Sequence, residues 1–391
     1  MISVEDALAR CLALATLTDT ETLPLRRAGN RVVAVSAVAQ LTQPPFDASA
    51  MDGYALGRAA VAGDSFSVIG ESSAGHAFQG TVRPHQAIRI FTGAPLPKGA
   101  VSVVVQEEIA VTDDQITLKT TAKPGDNIRP RGQDFTLGQS LSPRLLRPND
   151  LALLAAMNVA EVTVRRRPIV ALMASGDELV MPGEVPGPDQ IIASNTFALA
   201  AMVEAAGAEA RVLPIARDTE ASLRTVFGLT EGADLIVTIG GASVGDHDLV
   251  GKVATDLGLE RAFWQIAMRP GKPLMAGKVL GIPMLGLPGN PVSAIVCGHL
   301  FMLPMLKAML GLPPEPQVLS ARLGSHQPAN GPRDHYMRAR LTFDDGQPTV
   351  TAFERQDSAL LTILTEANAL LIRPKGDGAR GAGEMVRYIP I

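Results

Sequence analysis

Cysteine is nearly absent. The 391 residues hold two, Cys11 and Cys297, each in an apolar stretch of helical spacing and neither in a C-x-x-C pattern. A disulfide framework or a thiolate zinc site is therefore not expected, and a reducing cytoplasm fits. Aromatics make up 4% of the chain, so its cores must come from Ala, Val, Leu and Ile. Basic excess is missing too. The net charge is −4, which argues against nucleic acid as a partner, because phosphate neutralisation needs a basic surface. The first residues, "MISVEDALARCLALATL", carry Glu5 and Asp6 where a signal peptide would be basic; they read as an amphipathic helix. The most apolar later run, "AIVCGHLFMLPML", falls short of the ~20 residues of a membrane span and contains His299 and Pro304. No membrane association is expected.

What the chain has in quantity is turn residues, 37 Gly and 29 Pro, in a pattern that changes along its length. Residues 3–17 and 148–158 have helical periodicity, and between them short strands ("FSVIG", "AIRIFTG", "VSVVVQEEIAV", "QITLKTT") alternate with turns. This predicts a β-rich domain, 47–138, inserted into a domain formed by 1–46 and 139–166. Arg165–Arg167 reads as a solvated boundary. From 167 to 312 near-continuous apolar strands alternate with helices, the signature of a parallel sheet covered on both faces. Residues 313–391 read as a small β domain. The fold class is multidomain α/β plus β.

Open α/β sheets bind ligands beyond the carboxyl ends of their strands. Those ends here carry Gly176-Asp177-Glu178, Arg217-Asp218, "GGASVGDHD" and "PGNPVS". Gly240, Gly241 and Gly245 would let backbone N–H groups approach a ligand, Ser243 adds a hydroxyl, and the helix start that follows favours an anion. Asp246 suits Mg2+ held against phosphate oxygens; N-capping is the competing reading of Asp246, His247 and Asp248. In "LPGNPVSA", Pro288 and Gly289 make a turn, Asn290 is a natural cap and Ser293 falls in the first helical turn, which serves an anion or simply starts a helix well. "MRPGKP" sets Arg269 and Lys272 in a rigid loop, suited to an oxyanion or merely solvated. Neither a P-loop nor a Rossmann fingerprint occurs. The residues alone thus describe an Mg2+-dependent enzyme acting on a small phosphorylated or anionic ligand.

"FDASAMDGYAL" at 46–56 places Asp47 and Asp52 five positions apart among small residues, which by itself is turn chemistry. Taken with "FTGAPLP", "GDNIRPRGQDF", "ASGDELV", "SNTFALAAMVEAAGA", "TIGGASVGDHD", "RPGKPL" and "GLPGNPVSA", in this order, it closely resembles the molybdopterin molybdenumtransferase (MoeA/gephyrin E-domain) family. The resemblance implies an elongated N-terminal domain, the β insertion, a molybdopterin-binding α/β domain and a C-terminal β domain. It implies a reaction in molybdenum cofactor biosynthesis: adenylylated molybdopterin and molybdate are the substrates, Mg2+ assists phosphoanhydride cleavage, AMP leaves and molybdenum remains on the dithiolene. Asp177, Glu178, Asp218 and Asp246 then match the acidic positions around nucleotide and metal. Lys272, Ser293, Arg338 and Ser358 match molybdate and phosphate contacts. Asp52 and Thr92 match catalytic residues supplied in trans within a homodimer, and Asp47 shapes the turn. Partners implied are an upstream molybdopterin adenylyltransferase and acceptor molybdoenzymes. Three positions depart from the pattern: Gln265 and Arg269 where the family often has Lys, and Asp357 before Ser358. Two other readings stand beside this one, a nucleotidyltransferase for molybdopterin and a catalytically weak scaffold or cofactor carrier. The first lacks a use for the motifs outside the α/β domain, and the second could dispense with the carboxylates that are present.

Overall fold

The computed structural model describes residues 1–240 and 249–391. It divides into two compact units, Met1–Glu21 with Arg165–Ile391, and Thr22–Val164.

The larger unit is built on a six-stranded sheet in the order Glu209–Val212, Ile169–Ala174, Leu235–Ile239, Ile282–Leu287, Met275–Val279, Glu260–Trp264. The first four strands pair in parallel, and Met275–Val279 runs antiparallel to both of its neighbours. The continuous apolar runs have a simple cause. Val170 and Leu172 face one core, with Val237 and Leu285; Ala171 and Met173 face the other, with Ile236 and Met284. Successive side chains point to opposite faces, and both faces are covered. Helix Asn195–Ala205 covers the first through Leu199 and Val203, and helices Glu220–Gly228 and Leu249–Asp256 cover the second through Leu223, Phe227, Val250 and Val253. The strand after Ile169–Ala174 lies on one side of it and the next on the other. The chain reverses direction across the sheet there, so a crevice opens at the ends of Ile169–Ala174 and Leu235–Ile239.

Helical residues run from Pro291 to Met309, a stretch long and apolar enough to cross a membrane. Most of it is buried in the first core, through Val292, Val296, Phe301, Met305 and Leu306. Pro304 interrupts the sequence pattern without ending the helix. Gly298–Met302 widens into a π-helical turn, with the Leu303 N–H donating to the Gly298 carbonyl, which absorbs the N–H that proline lacks.

The N-terminal helix Val4–Leu14, capped by Ser3 Oγ accepting from the Asp6 N–H at 3.0 Å, buries Ala7 and Cys11 in that same core. Helix Pro148–Ala156 instead buries Leu154 with Val33, Phe135 and Val164 in the other unit. The two helices expected to lie together thus have separate cores, since periodicity shows that a face is buried and not what buries it.

Residues 319–390 form a closed barrel. Strand Asp334–Asp344 pairs with both Gln347–Ala352 and Ala369–Arg373, and Leu319–Leu323 and Met385–Pro390 complete the ring. Met268–Arg269 adds to it in parallel, Arg269 standing opposite His335.

The smaller unit holds a six-stranded sheet in the order Ser102–Val105, Gly53–Leu56, Gln86–Ile90, Ser65–Ser72, Gln115–Leu118, Ile109–Thr112. "VSVVVQEEIAV" is two of these strands, separated by a 3-10 turn at Gln106–Glu108. "RVVAVSAVA" supplies only the two-residue strand Ala37–Val38 and bridges at Val32 and Val33.

Candidate active site

A cavity of about 670 Å3 opens at the crevice in the larger unit. Glu178, Asp218, Gly240, Pro288, Gly289 and Asn290, all singled out from the sequence, line it together with Ser175 and Asn195. Gly240 ends its strand at φ +88, and a Cβ there would sit 3.1 Å from the Ser175 carbonyl oxygen. Only glycine takes this backbone and this approach without strain. Asp177 and Asp218 brace one another. Asp218 Oδ2 accepts from the Asp177 N–H at 3.3 Å, and Asp177 Oδ1 accepts from the Asp218 N–H at 3.2 Å. Arg217 fixes the turn by donating to the Leu179 carbonyl at 3.0 Å. Asp177, Glu178 and Asp218 are all exposed.

The "PGNP" turn is tied from two sides. Asn195 Nδ2 donates to the Gly289 carbonyl at 2.7 Å. Asn290 Nδ2 donates to Ser358 Oγ at 3.1 Å, and the Val292 N–H to the Ser358 carbonyl at 3.1 Å. Ser293 is buried in the first turn of the helix. Asn290 makes no side-chain cap there; its amide is spent on Ser358. The barrel's 356–360 loop is thereby brought to the cavity, where Ala359 forms part of the wall.

Arg338 is 1% exposed, and no carboxylate lies within ion-pair distance of it among the described residues. Its Nη1 donates to the Asp357 carbonyl at 2.6 Å, and its Nε and Nη2 to Gln356 Oε1 at 3.3 and 3.2 Å. Burial first pushes its pKa down, partly opposed by the Asp357 carboxylate and aided by Arg269. Next to it His335 is pushed down to about 4, by burial first and then by Arg269, Arg338, Arg373 and Arg333. Arg269 and Lys272 are exposed, on a loop held by pairing with the barrel. Asp357 Oδ1 accepts from the Ala359 N–H at 2.8 Å, and Gln265 holds φ +65.

In the smaller unit, Asp52 Oδ1 accepts from both the backbone N–H and the hydroxyl of Thr92, at 2.7 and 2.8 Å. These bonds, the backbone one foremost, hold the exposed carboxylate below its ordinary range. Arg89 stacks on Tyr54 and Phe91, with 5.1 and 4.8 Å to the ring centroids, and donates to the Gly53 carbonyl at 3.1 Å, fixing the "MDGY" turn. Asp47 accepts from the Arg131 N–H at 2.8 Å, a turn-shaping contact. Gly241, Ser243, Gly245 and Asp246 lie outside the described residues.

Among the described residues no three His, Cys, Asp or Glu side chains gather into a group that would hold an ion alone. Asp218 and Glu178 nonetheless offer hard oxygen donors at the cavity, the chemistry Mg2+ takes when waters and substrate phosphates supply its remaining ligands. The donor set fits that ion.

Comparison with known proteins agrees with this architecture. The chain matches the family models for the MoeA N-terminal region (domain I and II) over residues 2–158, a "Probable molybdopterin binding domain" over 171–308 and the MoeA C-terminal region (domain IV) over 320–391. The chain belongs to the MoeA family. A molybdopterin molybdenumtransferase from Nostoc sp. is 35% identical over 95% of this chain and 89% of its own. One from Haemophilus influenzae is 33% identical over 100% and 98%. A molybdopterin biosynthesis MoeA protein from Pyrococcus horikoshii superposes with a TM-score of 0.86 at 26% identity, covering all of both chains.

Sequence reasoning missed two members of this MoeA site. Asn195 stands in "SNTF" at a helix start, where Asn reads as a cap. Gln356, in "RQDS", carries no motif-level signal at all.

Proposed function

We propose that this chain is a molybdopterin molybdenumtransferase of the cytoplasm: it takes adenylylated molybdopterin and molybdate, cleaves the phosphoanhydride, releases AMP and leaves molybdenum on the dithiolene. The observation that carries the reading is Arg338. A guanidinium at 1% exposure with no carboxylate partner among the described residues is costly unless an anion completes it. A molybdate dianion supplies what it lacks. Exposed Arg269 and Lys272 add charge on a loop held by the barrel, and Ser358 and Ser293 add hydroxyls. The carboxylates serve the nucleotide side. Asp218 and Glu178 with Asp246 would hold Mg2+, which when bound supplies positive charge against the phosphoanhydride. Asp218 and Glu178 orient water and phosphate, and Asp177 keeps Asp218 in place through its N–H. The backbone of Gly240, Gly241, Gly245 and Gly289, the Ser243 hydroxyl and the Pro288–Asn290 turn cradle the ligand.

Asp52 and Thr92 complete the site of a partner subunit in a homodimer, which takes its substrate from a molybdopterin adenylyltransferase and passes its product to molybdoenzymes. The direct test is incubation with adenylylated molybdopterin, Mg2+ and molybdate, with AMP followed by chromatography. AMP release that Arg338→Met reduces supports the reading; no AMP from the wild-type protein overturns it.

A further inference from the structure

We infer that Gln356 is a positioning residue that holds Arg338 in place while leaving its charge unspent for the oxyanion, an inference that rests on the molybdate-binding reading of Arg338. The carboxamide continues the barrel's ladder beyond its last pair, Ala339 with Ala352. Gln356 Oε1 accepts from the Arg338 backbone N–H at 3.0 Å, from Nε at 3.3 Å and from Nη2 at 3.2 Å. Its Nε2 donates to the carbonyls of Arg338 at 3.0 Å and Phe353 at 2.7 Å. Those two acceptors decide which way the amide points, because the reversed amide would set N–H groups against the guanidinium. One neutral side chain thus fixes both the backbone and the head group of the arginine.

The same barrel shows the alternative. Arg373, on the adjacent strand and 2% exposed, is neutralised by Asp377 at 2.6 Å. Arg338 is as deeply buried, yet its side-chain partner is an amide; the neighbouring Asp357 bonds it through the backbone carbonyl, and its carboxylate favours the charge without an ion-pair contact. A carboxylate at 356 would reach the same three donors and match the charge, while giving up the two bonds that Gln356 Nε2 donates to the Arg338 and Phe353 carbonyls. A guanidinium already paired this way has little attraction left for a dianion. The amide at 356 satisfies both carbonyls and at the same time leaves the Arg338 charge without an ion pair.

Kinetics of AMP release, measured against molybdate and against adenylylated molybdopterin separately, test this. Gln356→Glu is expected to raise the KM for molybdate by roughly tenfold or more, with the KM for the nucleotide substrate held within about twofold. Gln356→Met, which frees the head group without adding charge, is expected to raise the molybdate KM several-fold, again with the nucleotide KM unmoved. Arg338→Met serves as the reference. If it raises the molybdate KM and Gln356→Glu does not, the inference about Gln356 is overturned and the reading of Arg338 stands. If Arg338→Met leaves the molybdate KM unchanged, that reading fails and the inference falls with it. Should Gln356→Glu not fold, as judged by its melting curve, Gln356→Met decides: an unchanged molybdate KM refutes the positioning role. A loss spread equally over both substrates would also refute it, marking Gln356 as a structural residue only.

Discussion

Asp177 and Asp218 each accept the backbone N–H of the other, at 3.2 and 3.3 Å. Two strand ends of the parallel sheet are thereby locked together, and two carboxylates are set side by side at the mouth of the crevice. Their negative charge is braced by neutral N–H donors rather than by a cation, so it remains available to a metal and its phosphates.

Asp218→Asn retains an acceptor oxygen for the Asp177 N–H and loses the charge. AMP release is expected to fall by about two orders of magnitude, with the melting temperature close to wild type. Single-turnover assays beside a thermal melt check both. A wild-type rate would show that the charge is dispensable.

Thr92→Val removes the hydroxyl bond to Asp52 and keeps the backbone one. The folded carboxylate is held below its ordinary range chiefly by the Thr92 N–H and next by this hydroxyl. The variant is therefore expected to titrate part of the way back up. In the wild type the stabilisation from Asp52 is present above the ordinary carboxylate range and is lost as pH falls from that range through the depressed value; in the variant the loss begins at the same pH, is smaller and is complete at a higher pH. NMR titration of the Asp52 side-chain carboxyl reads the shift, and an unchanged midpoint would contradict the account.

The proposed shared-site homodimer predicts complementation. Asp52→Asn and Asp218→Asn chains, each inactive alone, are mixed and allowed to exchange. Random pairing leaves about a quarter of all sites carrying neither lesion, and activity is expected to climb toward that fraction of wild type. Verified exchange with no recovery would place both residues in one chain's own site.

Buried His335 and half-buried His299 predict the response to acid. His299 and His335 are both pushed down to about 4, in each case mainly by burial. Between roughly pH 6.5 and pH 4 the unfolded chain binds protons that the folded one refuses, so stability falls as pH falls, by at most about 3.4 kcal/mol per histidine. Chemical denaturation of the wild type and of His299→Gln across that window measures it. Identical slopes for the two proteins would contradict the assignment.

The parallel strands were legible because a strand buried on both faces must be apolar at every position, and "DLIVTIGG" reads that way without any partner in view. The carboxylates and glycines at the strand ends were legible because the crevice rule states where to look. The partner of the Val4–Leu14 helix was not, since Ala7 and Cys11 mark a buried face and name nothing that buries it. The environment of Arg338 was equally hidden. In "HYMRARLTF" Arg338 and Arg340 are two apart and face the same way by strand periodicity, yet Arg338 is enclosed while Arg340 reaches outward to Glu366 at 2.7 Å. What separates them is that Gln356 and Asp357 close over Arg338, while Arg340 meets the same loop only at the Phe353 ring, 5.5 Å from its centroid; the first is a contact between segments some 18 residues apart. Gln356 acquires its meaning only from that contact.

The central claim is that phosphoanhydride cleavage and molybdenum insertion are one coupled event on this chain. The measurement that tests it most directly counts both products in the same reaction: AMP by chromatography and pterin-bound molybdenum by elemental analysis, with and without molybdate. The account predicts equal amounts of the two, with both lost in Asp218→Asn. AMP released in full while the pterin stays free of molybdenum would contradict it.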